Sequence, residues 1–429
     1  MTLDQWLTLL GRQHPVAIDL GLERLATVAE RLSLTDRPLA RHVVTVAGTN
    51  GKGSTVAMVD AIARAHGLSS GTYSSPHLRR YNERVTVNGQ YVTDDQLVAA
   101  FERIEAARTQ PGLPNVSLTY FEVGTLAAAL IFQEAALDVV VLEVGLGGRL
   151  DAVNIFDADV GVVTTIGIDH VEYLGSDINA IGREKAGIFR RGAGAVLGSS
   201  DLPASVREVA EHCGVGTLRQ LGESFTRTDV VDGRWSWSGH DVEGNGVELL
   251  ALPDPHLPLD NAASAIQAAW LAFGPLSVER VARALSSLDM PGRLQWKGPW
   301  CLDVSHNPHA AAYVARYFKA RERQGAVPAR RVAVLGMLGD KDPDGVIEQL
   351  QSVISEWIVV SLAGDRARDA DTLVAAVERH GGRVLARCDT VDQAMHYCET
   401  LQPYAEERLV CGSFLTVAAA LDYLDAQSE

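Results

Sequence analysis

The chain has 429 residues, 47% of them hydrophobic and 21% charged, with a formal charge of -16. That length exceeds one ordinary core and predicts two α/β domains, while the acidic balance argues against a general nucleic-acid binder, which needs a broad basic surface. Any anionic substrate must then be met by local cations or by oriented backbone N–H groups.

The opening MTLDQWLTLL carries an acid where a signal peptide carries bases, so secretion is not expected. Val-rich runs alternating with helical patterns start at residue 43 and continue to the end, which predicts parallel sheets with crossover helices. Strands are expected at 42–47, 138–144, 159–165 and 195–197, then at 300–304, 331–335, 357–361 and 408–411. Helices are expected between the later strands, at 310–323 and 371–380. The apolar run 126–132 is too short to span a bilayer and is closed by Gln133 and Glu134. The segment 225–252, with Trp235, Trp237, Gly233, Gly239 and Gly244, reads as hairpins or a small β excursion. Pro291-Gly292 is the expected hinge between a domain over 1–290 and a smaller one over 291–429. The cysteines Cys213, Cys301, Cys388, Cys398 and Cys411 form no CxxC pair and read as buried or unreactive thiols in a reducing compartment. A cytoplasmic chain without membrane or nucleic-acid partners is the expectation.

The segment VVTVAGTNGKGST (43–55) reads as strand, glycine-rich turn, then helix. Glycines let successive N–H groups curl around phosphate oxygens, and the helix directs its positive end at them. Lys52 would reach the β/γ-phosphates and Ser54 could offer its hydroxyl to Mg²⁺. The helix is expected to run through Ala57, Ile62 and Ala63 and to stop at His66-Gly67. The turn is shorter than the usual Walker pattern, and Gly53 intervenes between Lys52 and Ser54. A plain glycine-rich β-to-α turn is the alternative, but the order of elements favours phosphate.

A second cluster, VVLEVGLGGRLD (140–151), puts Glu143 at a strand end, where ligands of open α/β sheets collect. Glu143 reads either as a Mg²⁺ ligand or as a paired core acid. The next strand leads to His170, which taken alone reads as structural more often than functional. Then IGREKAGIFR (181–190) brings Arg183, Lys185 and Arg190, with Arg191 following, either as a solvated helix face or as the positive charge the acidic chain needs. A free lysine ammonium has no lone pair for a metal.

These segments, with YSSPHL (73–78), ERVTVNG (83–89), TYFE (119–122), GIDHVEYLG (167–175), PGR (291–293), LDVSHNPHAAA (302–312), GMLGDKD (336–342) and GSF (412–414), occur in an order that resembles the folylpolyglutamate synthase/dihydrofolate synthase family of the Mur-ligase-like superfamily. The resemblance implies an N-terminal P-loop ATPase-type domain with a mostly parallel sheet and a small β excursion, plus a smaller C-terminal Rossmann-like α/β domain. It implies ATP contacts from Thr49, Asn50, Gly51, Lys52, Gly53 and Ser54 and, across the domain gap, from Asn261, Arg293, Asp303 and His306. It implies Mg²⁺, in two sites, near Ser54, Ser75, Glu143 and His170, with Lys185 carbamylated into a carboxylate-like group. It places the pterin among Leu20, Gly21, Leu22, Thr119, Tyr120, Phe121, Glu122, Leu150, Asp151 and Ala152. The segment 18–24 is similar to that of bifunctional bacterial members.

The expected chemistry is an ATP-dependent ligation in which the acceptor carboxylate becomes an acyl phosphate and is attacked by the amine of L-glutamate. Lys52, Glu143, His170 and Lys185 would carry it by positioning and charge. Dihydropteroate and reduced folates are the expected acceptors, His306 and Ser413 candidate contributors to the glutamate pocket, and a monomer the expected state. ATP contacts from both domains would imply closure about Pro291-Gly292. A monofunctional folylpolyglutamate synthase, a Mur-type cell-wall precursor ligase and a non-catalytic nucleotide switch are the competing readings.

Overall fold

His42–Ala47 (β1) is buried along five of its six residues, as a strand covered on both faces must be. In the computed structural model it sits inside an eight-stranded sheet. The structure describes residues 1–16, 18–323, 325, 328, 330–364 and 367–427. The other strands of this sheet are Ser70–Tyr73 (β2), Val85–Val87 (β3), Gln90–Tyr91 (β4), Val139–Glu143 (β5), Val160–Val163 (β6), Gly194–Leu197 (β7) and Thr217–Gln220 (β8). Their order is β4-β3-β2-β5-β1-β6-β7-β8. Strands β2, β5, β1, β6, β7 and β8 are parallel, and the β2–β3 and β3–β4 pairs at the edge are antiparallel. The carboxyl ends of β5, β1 and β6 therefore lie side by side, the place where open parallel sheets bind ligands.

The helix Lys52–Ala65 leaves β1 through a turn whose N-cap, Gly51, has φ +86. A Cβ there would stand 2.6 Å from the Asn261 amide, so glycine is needed for the backbone angle and for the close approach. The helix Leu259–Phe273 packs along Lys52–Ala65 and brings Asn261 to its start. At the other end His66 caps the helix, and its Nε2 accepts the amide of Ser277 at 3.0 Å. The phosphate-loop helix is thus gripped at both ends by the same unit.

Residues 225–252 do form a β excursion. Thr226–Arg227 (β9), Arg234–His240 (β10) and Gly246–Pro253 (β11) make an antiparallel three-stranded sheet. Along β10 Trp235, Trp237 and Gly239 are buried at every second position, the period of a half-buried strand.

Contacts divide the chain into two compact units, Met1–Leu288 and Asp289–Glu429. The second holds a six-stranded sheet of order β12-β13-β17-β14-β15-β16: Gln295–Lys297 (β12), Trp300–Leu302 (β13), Arg331–Leu335 (β14), Glu356–Val360 (β15), Arg383–Cys388 (β16) and Glu407–Cys411 (β17). All neighbours are parallel except the β12–β13 pair. The helices Pro308–Arg323, Pro343–Leu350, Ala370–Arg379, Val391–Thr400 and Phe414–Ala426 connect them, the Rossmann-like arrangement expected from the sequence.

Strands expected at 42–47 and 331–335 are found with those bounds. Those expected at 138–144, 159–165 and 300–304 end one or two residues early, because Val144, Thr164, Thr165, Asp303 and Val304 turn into the loops that carry the candidate site. Cys301, Cys388, Cys398 and Cys411 are buried and all five cysteines are free thiols. Among the described residues no helix is long and apolar enough to cross a membrane.

The second sheet contains an internal ion pair. Arg331 and Glu407 face each other across β14 and β17, with Arg331 Nε and Nη2 donating to one Glu407 oxygen at 2.9 and 2.7 Å. The Arg331 side chain is 4% exposed, and its guanidinium stacks 4.2 Å from the Phe318 ring centroid. Arg331 Nη1 also donates to Glu322 Oε1 at 2.9 Å, so removing Glu407 takes two charge-assisted hydrogen bonds but leaves one acid on the guanidinium, which costs about 1–3 kcal/mol. Glu407→Ala should lower unfolding stability by about that amount in a denaturant titration, whereas a loss below about 1 kcal/mol would show the pair to be dispensable.

Candidate active site

The turn after β1 is braced by the residues that follow β6. Thr49 N donates to Thr165 O at 2.7 Å, and Asn50 N to Thr165 Oγ1 at 3.1 Å. In return the Thr164 and Thr165 hydroxyls donate to Asn50 O at 2.8 and 3.1 Å. Thr49 Oγ1 also exchanges hydrogen bonds with the backbone of Gly167. A Cβ on Gly48, at φ +150, would fall 1.9 Å from Thr164 Oγ1, so only glycine admits this brace. The sequence reading missed Thr164 and Thr165; the sole signal was a pair of hydroxyls at a strand end.

Two lysines meet at this turn. Lys52 Nζ donates to Gly48 O at 3.1 Å and to Thr49 O at 3.2 Å, and Lys185 Nζ donates to the same Gly48 O at 3.1 Å. Lys185 is 5% exposed on the helix Ile178–Ala186. Burial, and then the Lys52 charge, lower its pKa from 10.5 to about 7. The solvated-face reading of Lys185 is therefore excluded, whereas Arg183, with a side chain 54% exposed, fits it.

Glu143 ends β5 and is 6% exposed. Its Oε2 accepts the amide of Ser75 at 3.3 Å and lies 3.5 Å from where a Cβ on Gly53 would be. The structure thus brings Glu143 to Ser75 and to the first turn of the phosphate-loop helix. Ser54 Oγ donates to Gly51 O at 3.0 Å and accepts from Asn261 Nδ2 at 2.8 Å. Asn261 therefore stands in the same unit as the loop, and the expectation of a contact from across the domain gap is corrected for this residue. The helix Leu259–Phe273 follows the β excursion and folds back on Lys52–Ala65, which position in the sequence did not reveal. His170 opens the short helix Val171–Leu174 in a left-handed conformation, φ +53, with its amide held by Asp169 Oδ1 at 2.8 Å.

Asp151 is buried, and its carboxylate accepts the amides of Leu146 at 2.8 Å and Val153 at 3.1 Å. Burial nevertheless pushes its pKa up to about 6. The Gly147-Gly148 turn before it presses on the helix carrying Lys185: a Cβ on Gly148 would meet the carbonyl oxygens of Glu184 and Lys185 at 2.7 Å.

The three segments expected to line the pterin pocket converge. Thr119 and Glu122 form a capping box at the start of the helix Tyr120–Ala135. Arg24 pairs with Glu122 at 2.9 Å and with Asp19 at 2.5 Å, tying the half-buried loop of Leu20, Gly21 and Leu22 to that helix. Phe121 packs on Gly145, and the turn Ala152–Ile155 contacts both this helix and the helix Glu23–Arg31, so Leu150, Asp151 and Ala152 stand near them. Glu122 is committed to the cap and to Arg24, while Tyr120 and Phe121 remain half-buried.

In the second unit Asp303 follows β13 and binds the amides of Leu294 and Ser305, both at 2.9 Å. Burial raises its pKa and the Arg293 charge opposes that shift. Arg293 lies 5.1 Å from the Phe414 ring centroid and His306 6.3 Å from it, so Arg293, Asp303 and His306 cluster at the start of the helix Phe414–Ala426. Ser413 is that helix's N-cap, accepting the Thr416 amide at 3.0 Å. Phe414 entered the sequence reading only as the last residue of GSF (412–414) and was given no role of its own.

Residues 46–213 match the Mur ligase middle domain and residues 292–414 the Mur ligase glutamate ligase domain. The chain is 43% identical over 428 residues to the dihydrofolate synthase/folylpolyglutamate synthase of Escherichia coli K12, covering 99% of this chain and 96% of that relative. It is similar to a solved E. coli FolC in complex with DHPP and ADP, with a TM-score of 0.91 at 42% identity over 100% and 99% of the two chains. A second solved structure, a bifunctional folylpolyglutamate synthase/dihydrofolate synthase with Mn, AMPPNP and L-glutamate bound, matches with a TM-score of 0.87 at 41% identity over 99% and 98%. With likeness of this degree over its whole length, and with the loop, the buried lysine and the strand-end acid in place, the chain belongs to the dihydrofolate synthase/folylpolyglutamate synthase family of Mur ligases.

Proposed function

We propose that this chain uses ATP to convert the carboxylate of dihydropteroate, or of a reduced folate, into an acyl phosphate, and joins it to the amine of L-glutamate. The observation that carries this reading is the convergence of Lys52, Lys185 and Glu143 on one glycine-rich turn at the ends of β1 and β5. A carboxylate resists attack by an amine because resonance and charge oppose it; phosphorylation supplies a leaving group. The amides and dipole of the Gly51–Lys52 turn hold the nucleotide phosphates, and Lys52 moves from Gly48 O to the β/γ-oxygens, with Thr49, Asn50, Gly51, Gly53 and Ser54 completing the cradle. Charge on the transferred phosphoryl group is offset by these donors, chiefly through positioning.

The donor chemistry suits Mg²⁺, which takes hard oxygens and in nucleotide sites uses one or two carboxylates with phosphate oxygens and water. Among the described residues no group of three or more His, Cys, Asp or Glu could hold a metal unaided. The buried Glu143 carboxylate, the Ser54 and Ser75 hydroxyls, His170 and a carbamate on Lys185 would hold two ions, which would supply charge neutralisation between the acceptor carboxylate and the γ-phosphate. Carbamate formation suits Lys185: a neutral amine adds to CO2 and releases a proton, and this amine is buried beside a second lysine. Asn261 positions Ser54, and Arg293, Asp303 and His306 serve the nucleotide. His306 and Ser413 contribute to the glutamate pocket. The pterin takes the pocket of Leu20–Leu22, Thr119–Glu122 and Leu150–Ala152. The protein acts in the cytoplasm as a monomer on small molecules.

Lys52→Ala should reduce ADP release dependent on a pterin acceptor plus L-glutamate by at least about a hundredfold, with the fold retained by circular dichroism; near-normal turnover would remove the phosphate-loop role. Glu143→Ala should lose activity and keep its melting temperature within a few degrees, and an unfolded variant would return Glu143 to the core-acid reading. With ¹³C-bicarbonate the protein should show a carbamate carbonyl signal by NMR that is missing in Lys185→Met; equal spectra would leave Lys185 as an unmodified cation.

A further inference from the structure

Of the three buried arginines among the described residues, Arg331 meets a carboxylate, that of Glu407. Arg84, 9% exposed, does not. Its Nε donates to His77 Nδ1 at 2.8 Å, and its guanidinium lies over the rings of Tyr81 and Tyr120, 5.2 and 5.6 Å from their centroids. The adjacent acid, Glu83, is spent on the backbone amides of Leu78, Arg79 and Arg80 at 2.6–2.9 Å. Arg408 of the second unit also lacks a carboxylate, but it is closed between the rings of Trp300 and Tyr404.

The surroundings of Arg84 tie it to the acceptor's reacting end. Its carbonyl holds the amide of Ser74 at 2.8 Å, and the next amide, that of Ser75, reaches Glu143. Its Tyr120 partner begins the helix that lines the pterin pocket. The bond to His77 Nδ1 leaves that ring's proton on Nε2, so guanidinium and imidazole present donors only. An unpaired cation with a neighbouring N–H donor, beside the acid where a carboxylate is activated, fits a second carboxylate on the same substrate. Dihydropteroate has one carboxylate. A folate ending in glutamate has two, of which the γ is activated and the α is left over.

We propose that Arg84, with His77, binds the α-carboxylate of the terminal glutamate of reduced folates, and so determines specificity for the second of the two reactions without serving the first. This rests on the dual ligase reading above. Loss of a charge-assisted hydrogen bond is worth about tenfold to a hundredfold in binding. Arg84→Gln should therefore raise KM for tetrahydrofolate by about that factor and leave kcat/KM for dihydropteroate within about twofold, with Arg84→Lys recovering part of the loss. Independently of any variant, tetrahydropteroyl-4-aminobutyrate keeps the reacting carboxylate and lacks the α one; its KM with the unaltered protein should be raised to a similar degree, and should not rise further in Arg84→Gln. Equal losses on both acceptors, or an analogue that binds as well as tetrahydrofolate, would overturn the proposal and return Arg84 to a packing role. An unaltered protein that turns over neither acceptor would instead overturn the ligase reading beneath it.

Discussion

Two ammonium groups share one carbonyl oxygen at the centre of this protein, and much of the first unit serves to keep them there. Lys52 and Lys185 both donate to Gly48 O, at a turn with no room for a side chain. Burial first, and then the neighbouring Lys52 charge, lower the pKa of Lys185. The arrangement makes sense in the presence of anions, either phosphates bound by Lys52 or a carbamate formed on Lys185. In a chain with a formal charge of -16, this turn sets two lysines side by side.

The scaffold explains how such a turn persists. Parallel pairing puts the ends of β5, β1 and β6 in adjacent register, so Glu143, the loop and the Thr164-Thr165 brace are neighbours without any long-range search by flexible segments. The helix Leu259–Phe273 then closes the loop from the far side through Asn261. Each contact is a single hydrogen bond of modest net worth, but each also satisfies a group that burial would otherwise penalise. The segments proposed to take the acceptor are tied in the same way: Arg24 joins the loop of Leu20–Leu22 to the helix cap at Thr119, and Tyr81 and Tyr120 hold Arg84 by their ring faces.

Much of this was legible in the chain itself, for physical reasons. The Val-rich runs had to be parallel strands because both of their faces are apolar, and the Gly-x-x-Gly-Lys-Gly-Ser segment between strand and helix had few other uses. Motif order pointed to the family, and the small β excursion was visible from its tryptophans and glycines. Each of these signals is local, carried by residues within one turn or one strand.

The tertiary structure decided what separate segments do to each other. Whether Lys185 was a solvated helix residue or a buried one depended on which face of Ile178–Ala186 meets Gly48, and no local pattern encodes that. Asn261 looked like a contact from beyond the hinge until its helix was seen folding back on the phosphate loop. Arg84 was only one letter of ERVTVNG, with no role of its own, because its distinction is the absence of a carboxylate near it in space. The sequence by itself determined the elements, the phosphate turn and the family, since those rest on short-range backbone chemistry. Folding determined the lowered pKa of Lys185, the side from which Asn261 acts and the isolation of Arg84, since burial and pairing are properties of residues brought together from far along the chain.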